Sequence, residues 1–211
     1  MSDAGEFIDA GLQREALWER GADQADGLRV YGSSVGAIRG TVRDAFRRHR
    51  EMDHDAVLSL SSELWSVPVF ERRLAAVVVL QSKLSLLQVT DLTRIEGFLR
   101  QSGRPAVTDL LAIDVVGPLV DRLPTRDRER AAVVLDRWAS DVDPWLSRAA
   151  LLSPLRPLRA GGGDWDGFVR RVRVARALKR DESGSAVVGE AIEVMAAELA
   201  KVRPGLSIPV A

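Results

Sequence analysis

The 211-residue chain contains no cysteine and only two histidines, His49 and His54. Without cysteine it has no disulfide, no thiol nucleophile and no thiolate-bound zinc. Two histidines offer little for a histidine-rich metal site or a serine–histidine–aspartate triad. The sequence therefore predicts a protein that holds neither a metal ion nor another cofactor.

Long apolar segments are missing as well. No run of about eighteen apolar residues occurs, which is the length that a membrane-spanning helix needs. The first six residues, Met-Ser-Asp-Ala-Gly-Glu, are acidic and lack the features of a signal peptide. We therefore expect a soluble, cytoplasmic protein that is monomeric and has no membrane partner.

The chain also lacks an excess of charge of either sign, because 30 Lys and Arg side chains balance 30 Asp and Glu side chains. The charges are nevertheless unevenly distributed. Residues 1–26 are mainly acidic, whereas residues 39–50 and 156–180 are strongly basic. A basic surface large enough to contact phosphates can form if folding keeps these segments apart. A net charge of zero therefore does not exclude a nucleic-acid partner.

Apolar residues recur at steps of three and four along most of the chain, which predicts amphipathic helices. Glycine and proline breaks divide the chain into helix pairs of roughly 35 residues, at 53–87, 90–122 and 125–159. This period favours an all-α fold, an α-solenoid of stacked antiparallel pairs of the HEAT-like or armadillo type with a concave binding face. A four-helix bundle with additional helices is the alternative. We expect one domain over residues 1–211, with flexible ends at 1–5 and 206–211.

Two polar positions stand out from this helical background. Asp114 lies in an apolar helical stretch, where a carboxylate either faces solvent at a rim or belongs to a site. Asp143 and Pro144 predict a helix start, and Trp145 and Arg148 then lie one turn apart on one face. An arginine near a helix start opposes the helix dipole. It either binds an external anion such as phosphate or forms a salt bridge to a neighbouring repeat.

The segment 168–180 predicts a basic helix. Arg170 and Arg173 are placed to line one side of it, together with Arg176 or Lys179. Such a side is either a solvated outer face or a groove that follows a phosphate backbone.

Three segments, taken in order, resemble the bacterial DNA alkylation repair family of the AlkD type. The first is Tyr31-Gly32 with Ile38-Arg39, and the second runs from Glu63-Leu64-Trp65 through Pro68 to Glu71-Arg72-Arg73-Leu74-Ala75-Ala76. After an Asp in a helix comes the third, from Trp138 through Asp143-Pro144-Trp145 to Arg148. The likeness extends from about residue 25 to residue 203 and is most specific in the Glu-Leu-Trp and Trp-Leu-x-Arg segments.

This family consists of HEAT-like repeat DNA glycosylases, so the resemblance implies that fold and that activity. It implies a positively charged concave face that cradles duplex DNA, and removal of cationic N3- and N7-alkylated purines by hydrolysis of the N-glycosidic bond. The family engages the damaged nucleotide from outside the stack, unlike glycosylases that extrude the base. A catalytic Asp stabilises the positive charge on the deoxyribose and positions the attacking water.

Matched to this chain, the resemblance puts the catalytic carboxylate at Asp114 and the arginine that holds the DNA backbone at Arg148. Trp145 is expected to pack against the sugar and phosphate of the lesion. The predicted backbone contacts are completed by four basic residues, Arg39, Arg43, Arg170 and Arg173.

Several family positions differ in this chain. Leu110 and Val194 stand where the family has tryptophans, and Glu190 stands in place of a lysine. Trp165, in a glycine-rich segment, is a candidate replacement for a missing aromatic side chain. These differences leave two alternatives open: a relative that binds DNA without cleaving it, or a helical scaffold whose concave face binds a protein or peptide.

Overall fold

The computed structural model describes residues 1–16, 28–206 and 208. In these ranges the chain is helical, as the sequence predicts, and the only extended pairing is an isolated parallel bridge between Arg29 and Val69. The α-helices are α1 (Asp3–Ala16), α2 (Val35–Arg48), α3 (His54–Ser66), α4 (Phe70–Ser82), α5 (Leu92–Ser102), α6 (Pro105–Leu111), α7 (Gly117–Arg122), α8 (Thr125–Ala139), α9 (Pro144–Leu152), α10 (Leu155–Arg159), α11 (Trp165–Ala177) and α12 (Glu182–Ala200). A π-helical turn, Ala112–Val116, joins α6 to α7.

The helix starts follow local sequence signals. Ser34, Asp53 and Asp143 precede α2, α3 and α9, and each side chain accepts a hydrogen bond from a backbone N–H of the first turn. Pro144 occupies the first position of α9, where its missing N–H would have no partner within the helix. The predicted start of α9 is therefore confirmed, cap and proline together.

The chain forms two compact units, Met1–Leu87 and Gln88–Ala211. In the first unit, α3 and α4 fall inside the predicted pair 53–87 and pack on each other, while α1 packs against α2, α3 and α4. Leu64 and Trp65 of the Glu-Leu-Trp segment are buried here. The ring of Trp65 also lies 5.2 Å from the guanidinium of Arg73.

Two buried charges hold the first unit together. The carboxylate of Glu71, 1% exposed, accepts hydrogen bonds from the backbone N–H groups of Tyr31 and Gly32 at 2.9 and 2.7 Å. The guanidinium of Arg72 lies 3.0 Å from the carboxylate of Asp9 on α1. The Glu71-Arg72 segment of the family motif is thus part of the framework of this unit.

In the second unit, α9 occupies the middle and contacts α5, α6, α8, α11 and α12. Its side chains Leu146, Ala149, Ala150 and Leu151 are completely buried. Because α9 is surrounded by helices, its polar side chains meet partners on those neighbours.

The ends of the chain differ in how far they are described. Helix α1 begins at Asp3 and Ala4 is buried, so the expected flexible segment 1–5 is helical from its third residue. Of the expected flexible tail 206–211, residues 207 and 209–211 lie outside the described residues. Among the described residues, no helix has the length and apolar character needed to cross a membrane.

Candidate functional site

Asp114 lies in the π-helical turn between α6 and α7. Here the N–H of Gly117 donates to the carbonyl of Ala112, one residue beyond the α-helical partner. Turns of this kind are rare and occur frequently at functional sites. The side chain of Asp114 is 11% exposed, so its carboxylate lies at the edge of the apolar interior.

The π-helical turn packs closely against the end of α9. A Cβ atom at Gly117 would lie 2.1 Å from the carbonyl oxygen of Ser153, so only glycine permits this approach. Ser153 directly precedes Pro154 and α10. The close contact therefore brings α10 to the turn that holds Asp114.

Arg156 of α10 forms an ion pair with Asp114. Its Nη2 donates to Asp114 Oδ1, and its side chain is 55% exposed. The carboxylate is thus the buried member of the pair and the guanidinium is the exposed one.

Arg148, the predicted backbone contact, is only 1% exposed. Its Nε and Nη2 donate to the two carboxylate oxygens of Asp109 at 2.6 and 2.8 Å. Its Nη1 donates to the carbonyl of Val187 at 3.0 Å and to Glu190 Oε2 at 2.7 Å. Of the two interpretations that the sequence left open for Arg148, a salt bridge is the one present here, made to side chains of α6 and α12.

The surroundings of Arg148 act on its pKa in opposite directions. Burial lowers it, but the hydrogen bonds and charges of Asp109 and Glu190 together outweigh burial, so the pKa of Arg148 is raised above its ordinary value. The guanidinium is therefore charged at any physiological pH. Because Glu190 is 55% exposed, it is the partner of Arg148 that can leave most easily.

Trp145 lies at the first turn of α9, where its backbone N–H donates to the capping carboxylate of Asp143 at 2.9 Å. Its side chain is half-buried. An indole in this position has part of its surface available to a ligand. Trp145 and Arg148 share α9, but Trp145 reaches the surface and Arg148 does not.

The basic helix α11 divides its arginines between interior and surface. Arg171 is buried and donates to Asp136 at 2.6 Å, whereas Arg170 and Arg173 are exposed. Within the described part of the chain, neither exposed guanidinium has a hydrogen bond or ion pair. Two of the predicted phosphate contacts therefore present unpaired positive charge to solvent.

The remaining predicted contacts, Arg39 and Arg43, lie on α2 of the first unit. Both are exposed, and the side chain of Arg43 lies 3.7 Å from that of Asp44. Arg47 continues the same side of the helix one turn later, since these arginines are four residues apart.

Aliphatic side chains occupy the two positions at which the resemblance leads to an expectation of tryptophan. Leu110 and Val194 are both half-buried. Trp165 is half-buried as well, and its ring centroid lies 5.4 Å from that of the completely buried Phe168. This contact anchors one part of the Trp165 side chain at the start of α11.

The sequence interpretation did not single out Asp109 or Asp136, and it did not assign Arg156 and Glu190 to an ion pair. A signal was nevertheless present. The pairs Arg148–Asp109, Arg148–Glu190, Arg156–Asp114 and Arg171–Asp136 are separated by 39, 42, 42 and 35 residues. These separations are close to the spacing of roughly 35 residues that the sequence predicts for helix pairs, so opposite charges at this spacing indicate contacts between helices that are distant in the sequence.

Two other kinds of site are relevant, a cavity and a metal-binding cluster. A cavity of about 460 Å³ is lined by residues that include Asp121, Arg128, Asp164 and Arg171, and neither Asp114 nor Arg148 lines it. No group of three or more His, Asp or Glu side chains among the described residues is placed to hold a metal ion.

Comparison with known proteins identifies a family. The family model described as DNA alkylation repair enzyme matches residues 14–203, which is most of the chain. No curated protein matches the sequence.

Proposed function

Because the chain belongs to the DNA alkylation repair enzyme family, we propose that it removes cationic N3- or N7-alkylated purines from duplex DNA by hydrolysing the N-glycosidic bond. In this proposal Asp114 is the catalytic carboxylate, and no metal ion takes part. An alkylated purine is already a cationic leaving group, so strong acid catalysis is not needed.

The observation that carries the proposal is the environment of Asp114. The side chain is 11% exposed and sits on a π-helical turn, and its charge is balanced by Arg156, an exposed side chain. A carboxylate fixed at the edge of an apolar interior stabilises a nearby positive charge more strongly than one in water.

Hydrolysis of the N-glycosidic bond of a cationic purine needs few groups besides the negative charge of Asp114. The bond between C1′ and the purine nitrogen breaks, and both of its electrons pass to the purine, which leaves as a neutral base. The deoxyribose then carries the positive charge, and Asp114 stabilises it. Water adds to C1′ and releases its proton to solvent.

Contacts to the DNA backbone complete the proposal. Trp145 packs against the sugar and phosphate of the lesion, and the exposed residues Arg170 and Arg173 contact phosphates, as do Arg39 and Arg43 on α2. In this proposal Arg148 holds a phosphate when its Nη1 exchanges Glu190 for the phosphate and keeps the two-point contact of Nε and Nη2 with Asp109. The HEAT-like stacking that the sequence predicts is part of the same proposal.

Base release from methylated duplex DNA tests the activity. We expect the wild-type protein to release 7-methylguanine or 3-methyladenine, detected by liquid chromatography and mass spectrometry. Asp114→Asn should reduce the rate at least about 10²-fold, as expected for loss of one group that stabilises transition-state charge. Asp121→Asn is the matched control, because Asp121 is an exposed carboxylate one helix further along. No release by the wild type, or an equal loss in both variants, would refute the proposal.

A specific observation favours a second candidate function, DNA binding without base excision. Glu190 covers one side of the Arg148 guanidinium, and aliphatic side chains fill both tryptophan positions of the family. Each lost aromatic contact weakens recognition of a cationic nucleotide by roughly 0.5–1.5 kcal/mol. Salt-dependent binding of duplex DNA by wild type and Asp114→Asn alike, without base release by either, would select this second function.

A further inference from the structure

We infer that Arg156 competes with the positive charge of the substrate for the Asp114 carboxylate, and thereby sets how strongly the site prefers a cationic nucleotide. The inference rests on the proposed function, because it concerns the same carboxylate. The ion pair between Arg156 Nη2 and Asp114 Oδ1 carries it.

The two members of this pair are held very differently. Asp114 is 11% exposed and belongs to the turn that Gly117 packs against Ser153. Arg156 is 55% exposed and extends from α10, a helix of five residues. An exposed guanidinium loses little free energy when it leaves its partner for water. Arg156 is therefore the member that moves away when a ligand arrives.

A ligand that binds Asp114 Oδ1 competes with this guanidinium. A cationic nucleotide that pairs with Asp114 Oδ1 displaces Arg156, and it also meets the positive charge of the displaced side chain. A neutral nucleotide gains nothing from that exchange. Arg156 therefore lowers the affinity for cationic ligands specifically, and its removal raises the preference for a cation over a neutral analogue.

The same helix supplies a matched control. Arg159 of α10 is 44% exposed and pairs with Glu198, with Nη1 2.9 Å from Oε2. Its exposure and pairing resemble those of Arg156, but its partner is a different carboxylate. If an effect results only from the loss of one positive charge on α10, it appears in variants of Arg156 and of Arg159 alike.

Two DNA duplexes are used to measure the preference for a cationic nucleotide. One contains a single pyrrolidine nucleotide, whose ring nitrogen is protonated at neutral pH, and the other contains a neutral tetrahydrofuran nucleotide at the same place. Fluorescence anisotropy gives the dissociation constant for each, and the ratio of the two measures the preference for the cation. We expect Arg156→Gln and Arg156→Ala to raise this preference roughly 1.5- to fivefold, the range of an ion pair with one exposed member. Arg156→Lys and Arg159→Gln should leave it at the wild-type value.

Asp114→Asn distinguishes failure of the inference from failure of the proposed function. If Asp114→Asn abolishes the preference while Arg156→Gln and Arg156→Ala leave it unchanged, the role of Arg156 is overturned and that of Asp114 stands. An equal rise in Arg159→Gln overturns the inference as well. If Asp114→Asn retains the wild-type preference, or no duplex is bound at low salt, the proposed function fails and the inference falls with it.

Discussion

Arg148 and Asp109 lie 39 residues apart and form a two-point ion pair, with Nε 2.6 Å from Oδ1 and Nη2 2.8 Å from Oδ2. This contact joins α9 to α6, and Glu190 adds α12 through the third guanidinium nitrogen. One buried side chain thereby connects three helices of the second unit. Its first role is to stabilise that unit, whatever part it takes in DNA binding.

Replacing Arg148 should therefore cost much stability. Arg148→Ala leaves Asp109 without its partner and opens a space in the interior, so we expect the free energy of unfolding to fall by about 3–5 kcal/mol. Urea denaturation followed by circular dichroism measures this change. Arg148→Lys should lose less, because it keeps the charge but not the two-point contact. A midpoint unchanged in Arg148→Ala would show that the ion pair adds no stability.

The two carboxylates around Arg148 should differ in their contributions. Asp109→Asn breaks a two-point contact at a side chain that is 25% exposed, and we expect a loss of about 2 kcal/mol. Glu190→Gln breaks one contact at a side chain that is 55% exposed, and the loss should stay below about 1 kcal/mol. The same urea experiment compares them. Equal losses would mean that the number of contacts does not set the contribution.

Acid should remove the stabilisation that Asp141 provides. Hydrogen bonding to Arg100, at 2.7 Å from Nη2, lowers the pKa of Asp141 in the folded protein, and the backbone N–H of Asp143 adds to this. A lowered folded-state pKa means that the stabilisation is complete above the unfolded value of about 3.9 and is lost as pH falls through the folded value.

Asp141→Asn should accordingly cost about 1 kcal/mol at pH 7, and the difference from wild type should shrink below about pH 4. Denaturation curves at several pH values test this. Asp121→Asn, at an exposed carboxylate of α7, serves as the control. A deficit in Asp141→Asn that persists at low pH would assign its effect to something other than the carboxylate charge.

Gly117 should tolerate no side chain. In Gly117→Ala the new Cβ would meet the Ser153 carbonyl at 2.1 Å, so the backbone has to move, and we expect a loss of about 1–3 kcal/mol or more. Gly97 of α5 has open space around the corresponding position. Gly97→Ala should therefore stabilise its helix by up to about 1 kcal/mol. Thermal denaturation of both variants shows whether the change in stability is set by the close contact at the site or by the exchange of glycine for alanine itself.

The exposed arginines of α11 should influence the salt dependence of DNA binding. We expect the double variant Arg170→Gln, Arg173→Gln to weaken duplex binding and to reduce the slope of log K against log salt by about 2, since each phosphate contact contributes about 0.9. Arg126, an exposed arginine of α8, gives the control Arg126→Gln. An unchanged slope in the double variant would place the DNA on another surface.

The helices could be predicted from the sequence because their causes are local. Periodic apolar residues, the cap at Asp143 and the proline after it determine where α9 begins, and the structure agrees. The surroundings of Arg148 could not be predicted in this way. Its partners Asp109 and Glu190 become neighbours only when α6, α9 and α12 pack together, and one sequence offers many equally spaced charges.

The π-helical turn also has no simple sequence signal. Ala112, Ile113, Val115 and Val116 suit an α-helix equally well, so the sequence predicts a regular helix through Asp114. The close contact of Gly117 with Ser153 occurs at this turn, between helices that are distant in the sequence. Tertiary packing therefore determines the backbone conformation of this turn.

In the turn at Ala112–Val116, the position of the Asp114 carboxylate depends on the number of residues that the turn contains. A π-helical turn contains one residue more than the α-helix around it. Deleting a single residue between α6 and Asp114 would let the segment close as a regular helix and remove the wide turn that holds the Asp114 carboxylate. A change in length at this point would alter the site as much as any substitution.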